Sequence, residues 1–179
     1  MDQVYRGAVA PFGGRIGPWF LVSCAANAGW IFAWHYEFVA LSMAVLLALL
    51  GSLAALYLRL GIGAGPPSPG MKYCVHIPVS VYLGWALVAS GANLTALLVS
   101  LGAGFAGGRP WALALMSLAS LAALLFLFRR RDIFILCVVL WTLFGIAARN
   151  DEIMQGAAIA LMGLIAFLGA FQAMRQRVY

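Results

Sequence analysis

Charge is what this chain has least of. Charged residues make up 9% of the sequence, against about a quarter in soluble domains. Acid is scarcest. The five carboxylates are Asp2, Glu37, Asp132, Asp151 and Glu152, and none lies inside an apolar run. That excludes a carboxylate pair for acid–base catalysis within a span. No nucleophile-and-base constellation and no Gly-rich phosphate loop is present, so an enzyme is not expected. There are three cysteines, Cys24, Cys74 and Cys137, with no C-x-x-C pair. A disulfide framework and a zinc site are thereby excluded, and no metal is expected. All three fall in or beside apolar runs and are expected to be small buried apolar residues. No secretory signal is expected either. Met1 to Arg15 is mixed and Gly-rich, and the first apolar run is too long for an h-region.

What fills the chain is apolar surface. Hydrophobic residues make up 65% of 179 residues, more than a chain this short could hide in one water-soluble core. The excess must face lipid or other membrane proteins. The net charge is +6, but the basic residues sit between apolar runs. They read as topology signals and headgroup contacts, not as a nucleic-acid surface.

A spanning helix needs about 20 mostly apolar residues. Six stretches qualify or come close: Gly17–Trp34, Phe38–Leu58, Cys74–Leu101, Pro110–Phe128, Ile133–Ala148 and Ile153–Met174. The fold expected is an all-α, polytopic transmembrane bundle of about six helices. Gly61 to Gly70, with three prolines and four glycines, is expected to be loop. Gly102 to Pro110 is similar, and Pro110 suits the first turn of the next helix. The turns at His35–Glu37, Arg129–Asp132 and Arg149–Glu152 are very short, which makes consecutive helices antiparallel neighbours.

Basic residues divide unequally between the two sides. Arg6, Arg15, Arg59, Lys72, Arg129, Arg130, Arg131, Arg175 and Arg177 give nine on one side, and Arg109 and Arg149 give two on the other. The positive-inside rule places both termini in the cytoplasm. The location expected is a bacterial inner (cytoplasmic) membrane. Small residues recur along the third helix (Gly84, Ala89, Gly91, Ala92) and the sixth (Gly156, Ala160, Gly163). Such stripes let helices approach closely in lipid.

Polar groups at membrane depth are functional candidates because they are costly there. Asn27 lies in the first span and Asn93 deep in the third. Each amide needs a partner inside the bundle. It finds one in the other asparagine or a backbone carbonyl, or else it contacts a ligand. Trp30 and Trp34 follow Asn27 at helical spacing on one face, and Tyr82 and Trp85 precede Asn93 on one side of its helix. Trp19, Trp34 and Trp111 fit an interfacial belt, whereas Trp30 and Trp85 are deeper and fit a cavity wall. His35 and Glu37 form the first turn. His35 reads either as a solvated member of an ion pair or as a pH-sensing group or axial ligand to a tetrapyrrole metal.

Two segments carry a family resemblance. Ala26-Asn27-Ala28-Gly29-Trp30-Ile31-Phe32 resembles the A-L-N-x-x-W-x-x-F-F stretch of the TspO/MBR family, the tryptophan-rich sensory or translocator proteins. Tyr82-Leu83-Gly84-Trp85 resembles that family's P-Y-L-A-W, and Asn93 follows Trp85 at the spacing of its W-x-x-F-A-x-x-L-N. Val81 stands where the motif has proline. The matching helices correspond to the family's third, fourth and fifth. Its first two, with their W-x-P-P-x-W-x-F signature, have no counterpart before Gly17, and three helices follow Asn93. The chain resembles a longer-form relative lacking those first two helices. It divides on this reading into a cytoplasmic segment 1–16, a TspO/MBR-like region 17–103, and three additional helices with a short cytoplasmic tail in 104–179.

The resemblance implies a pocket for a flat apolar ligand, a porphyrin or haem-type tetrapyrrole or a sterol. Asn27, Trp30, Tyr82, Trp85 and Asn93 would line or support it, and Trp34, on the face of Trp30, joins them as a ligand-binding candidate; the ligand would stack on Trp30 and Trp85 between the first and third helices. Two rivals belong to other classes. One is an accessory subunit of a larger membrane complex, packed against other subunits or its own copies. The other is a small-solute transporter, disfavoured because no charge lies at mid-membrane.

Overall fold

A computed structural model describes residues 17–177, apart from the side chains of 173 and 175–177. The expected segment 1–16 lies outside the described residues. Six main helices occur: α1 Gly17–His35, α2 Val39–Arg59, α3 Ile77–Ser100, α4 Arg109–Arg130, α5 Ile133–Arg149 and α6 Glu152–Arg177. No strand is present among the described residues. The all-α transmembrane bundle expected from the apolar runs is what forms.

Four helical stretches are long and apolar enough to cross a membrane: α2, Pro69–Ser100, α4 and Glu152–Gln172 within α6. α5 is shorter. α1 has the length, but Asn27 and its three tryptophans dilute its apolar character. In those four spans only 22–33% of residues are buried within the protein. The remainder of each apolar surface requires lipid or another apolar neighbour. The chain is a multi-pass membrane protein.

Packing divides the chain into two compact units between Leu97 and Leu98. In the first, α1 and α2 form an antiparallel hairpin. The buried residues of α2 include Ser42, Leu46, Leu49, Leu53 and Leu56. Their alternating steps of four and three keep one seam along the helix, as in a left-handed coiled coil. Opposite them, a Cβ built on Gly29 would lie 3.6 Å from Val45 Cγ1, in ordinary van der Waals contact. The hairpin turn is a six-residue C-cap: Phe38 N–H donates to Ala33 O at 2.9 Å and Glu37 N–H to Trp34 O at 3.1 Å. Glu37 occupies its left-handed position at φ 59°. The same pattern closes α2 at Gly61 and α3 at Gly102, where glycine takes the positive φ without steric cost.

The loop after α2 is shorter than expected. Helix resumes at Pro69, because Ser68 accepts the Met71 N–H at 3.4 Å and Pro69 takes the first helical position. Lys72–His76 then form a π-helical turn leading into α3. Pro78 lacks the N–H that would bond Cys74 O and crowds that carbonyl, and the wider turn accommodates it.

The second unit packs α4, α5 and α6 on one another. Its α4 seam is Met116, Ser120, Ala123 and Leu127. Arg109 opens α4 and Asp151 caps α6. Asp151 Oδ1 accepts the Ile153 and Met154 N–H groups at 3.1 Å each, and its Oδ2 takes Arg109 Nε at 3.1 Å and the terminal guanidinium nitrogen at 3.0 Å. The Met154 N–H, ahead of the Arg109 charge, holds this carboxyl below the usual carboxylate range.

Two expectations are corrected. Cys24, Cys74 and Cys137 are exposed and unbridged, not buried. In a membrane helix an apolar position can equally face lipid. The Gly156, Ala160 and Gly163 stripe likewise faces outward. A Cβ on either glycine would meet nothing within 4 Å, whereas one on Gly169 would stand 2.9 Å from Leu136 Cδ2. Gly169 is the close-packed glycine of α6.

Candidate functional site

α1 and α3 bring four of the sequence candidates into one aromatic cluster. Trp30 and Trp34 are one turn apart on α1, with ring centroids 6.3 Å apart and planes 23° apart. Trp85 of α3 meets Trp30 edge-on at 5.4 Å and 82°. Tyr82 extends the chain of rings to Trp85 at 5.9 Å. Edge-to-face and offset pairs at these distances are the favoured aromatic geometries, each contributing about 0.5–1.5 kcal/mol beyond simple burial.

The cluster has a covered side and an open side. Trp34 is 45% exposed and Trp85 38% exposed, while Trp30 is half-buried between them. Trp30 Nε1 is fully covered, yet it has no acceptor among the described residues. An unpaired buried donor costs about 1–3 kcal/mol.

The expected slot between Trp30 and Trp85 is not open, because the two rings touch. The exposed aromatic area belongs to Trp34 and Trp85 separately, Trp34 being nearly parallel to Trp30 and Trp85 nearly perpendicular to it. A separate, shallow apolar depression of about 420 Å³ lies along Phe38, Val39, Ala40 and Leu41. None of the cluster's rings lines it.

The two asparagines part company. Asn93 is 2% exposed, and Ser42 Oγ of α2 lies 3.0 Å from its Oδ1. Ser42 Oγ also lies 2.8 Å from Val39 O. One hydroxyl proton serves one acceptor at a time. Turning the Asn93 amide over, which leaves its shape unchanged, would let its NH₂ donate to Ser42 while Ser42 donates to Val39. In either orientation this pair ties α3 to α2. The sequence suggested Asn27 or a backbone carbonyl as the partner. Nothing in the sequence marks Ser42 as the partner, because a lone serine in an apolar span usually bonds back within its own helix, as Ser23 and Ser52 do here. Asn27 is half-buried on α1 and joins no such pair.

His35 is exposed at the end of α1 and packs edge-on against Tyr36, with ring centroids 5.1 Å apart. The ion pair expected with Glu37 does not form. No group of three or more His, Cys, Asp or Glu placed to hold a metal ion occurs among the described residues. At the opposite end of α1, the Arg59 guanidinium lies over the Trp19 ring at 5.2 Å. This contact was legible only as an interfacial tryptophan and a basic helix end.

Fold and cluster together define a multi-pass, all-α membrane protein with an aromatic face on its first unit. The model of the TspO-like protein family matches residues 6–172. The chain therefore belongs to the TspO-like family. That match runs through all three helices after Asn93, which the resemblance in motifs did not reach. No curated protein and no solved structure matches the chain.

Proposed function

We propose that this protein binds or senses a flat apolar ligand of the tetrapyrrole class, a porphyrin or haem, on the aromatic face of its first unit. The observation that carries the reading is the joined cluster of Trp30, Trp34, Tyr82 and Trp85 with two indoles left open. Trp34 is nearly parallel to Trp30 and Trp85 nearly perpendicular to it, so a planar macrocycle would stack on one open indole and meet the other edge-on. The covered Trp30 N–H is a donor in want of an acceptor, and a peripheral propionate would supply one once Trp85 shifts aside. The exposed His35, next to Trp34, would supply a nitrogen donor if the ring carries a metal. Asn93 supports the face through α2, and Asn27 stands one turn before Trp30. The distribution of basic residues supports both termini on the cytoplasmic side, and a bacterial cytoplasmic membrane is the location we propose.

The test is porphyrin titration of the purified protein in mild detergent, read by tryptophan quenching and the Soret band. Trp85→Ala should weaken binding at least tenfold while the protein stays folded. Trp141→Ala, in the second unit, should leave it unchanged. Equal binding by wild type and Trp85→Ala would sink the proposal. A second reading is an accessory subunit, in which the outward apolar side chains, Trp141 among them, would face partner helices in place of lipid. A colourless protein that purifies with stoichiometric partner chains would support it.

A further inference from the structure

We propose that the turn between α4 and α5 is a binding site for the phosphate headgroup of an anionic phospholipid. Arg129, Arg130 and Arg131 follow one another there. None of the three makes an ion pair among the described residues. The single carboxylate in the turn, Asp132, is the N-cap of α5. Asp132 is 5% exposed and faces inward, its Oδ1 accepting the Phe134 N–H at 2.9 Å and the Ile135 N–H at 3.5 Å.

The opposite end of the same unit is built differently. Its basic residue at the start of α4, Arg109, is held in a two-pronged pair with Asp151. One end of α4 is thus neutralised within the protein, and the other presents three guanidinium groups. Helix-dipole compensation explains Arg129 and Arg130, which belong to the last turn of α4. It does not explain Arg131, which stands past the helix at φ 55°. Any side chain with a Cβ is strained there, and glycine occupies the corresponding position after α2 and α3. A strained arginine where glycine fits is a place to look for function.

Position and chemistry point to lipid. α4 has 22 residues and spans about 33 Å at 1.5 Å per residue, close to the hydrocarbon thickness of a bilayer. Its final arginines therefore emerge at headgroup level. Exposed Phe128 and Ile133 flank them and suit the upper acyl chains. Guanidinium forks match the paired oxygens of a phosphodiester. A zwitterionic headgroup offers the same phosphate, but its own ammonium offsets the attraction.

The experiment uses the full-length protein in neutral detergent, titrated with phosphatidylglycerol or phosphatidylcholine and read by native mass spectrometry. Phosphatidylglycerol should be retained in preference. Each arginine contributes about fivefold near a membrane surface, so replacing all three by Gln should weaken retention on the order of a hundredfold. Arg131→Gly relieves the strained turn, so it should fold at least as well as wild type and still lose about fivefold. Arg149→Gln, at the other end of the unit, should change nothing. Three results would each overturn the proposal: unchanged preference in the triple variant, equal loss in Arg149→Gln, or displacement of the lipid by inorganic phosphate at matching concentration.

Discussion

The Ser42–Asn93 pair permits a quantitative test of what holds α3 in place. Ser42→Ala leaves the Asn93 amide at 2% exposure without its interhelical partner. A buried polar group stripped of its partner costs about 1–3 kcal/mol. Asn93→Leu keeps the branching of the side chain and removes its polar atoms. Ser42 then still has Val39 O at 2.8 Å, so the polar loss is only that of an interhelical bond in a membrane, about 0.6 kcal/mol on average and up to 1.7. Ser42→Ala should therefore be at least as damaging as Asn93→Leu, although it deletes a single oxygen. The double variant should recover about 1 kcal/mol relative to the sum of the two. Reversible unfolding in mixed micelles, followed by Trp30 and Trp85 fluorescence, measures all four proteins. Additivity within about 0.5 kcal/mol would refute the reasoning, since uncoupled sites behave that way.

Two further outcomes are expected. Glu37→Gly should stabilise the protein by about 1 kcal/mol, because glycine takes the φ of 59° without the cost that a Cβ imposes; a lower melting temperature would count against the hairpin cap. The Asp151 carboxyl is held below its usual range by the Met154 N–H and then by Arg109. A depressed carboxyl adds stability above the ordinary carboxylate range, and that stability is lost as pH falls through this range toward the lower folded value. Asp151→Asn should flatten that acid-side slope of melting temperature against pH, and an unchanged slope would show that the cap and pair are not its source.

Much of this fold was legible because a bilayer imposes few choices. Five of the six helices begin within one or two residues of the apolar runs that predict them, and all six end within three of them. Gly61, Gly102 and Pro110 mark boundaries for reasons of backbone chemistry. The exception is the third helix, where Ser68 and Pro69 start helix inside a segment whose glycines and prolines argued for loop. Of the site, the two aromatic pairs were visible as helical spacings on separate helices. That Trp30 touches Trp85 depends on the crossing of α1 and α3, which no spacing within one helix encodes.

Burial was the least legible property, and the reason is physical. In water an apolar side chain gains by being covered, so apolarity predicts the core. In lipid that gain vanishes, and packing is decided by size and by polar partners. The buried set here includes Ser23, Ser42, Ser52, Ser80, Asn93 and Ser120, while Phe20, Leu21, Phe32, Leu118, Trp141 and Phe167 lie outside. Small hydroxyl residues can sit in a seam because they bond back to their own helix, as Ser120 does to Met116 O at 2.8 Å. It follows that an exposed Trp or Phe is no evidence of a site in such a chain. What distinguishes the first-unit cluster from the exposed pair Trp141–Phe144 is Trp30, whose N–H is covered and has no acceptor among the described residues. Lipid tails cannot satisfy that donor. Only a group carrying an acceptor can, and that requirement raises the cluster from an apolar surface to a candidate site.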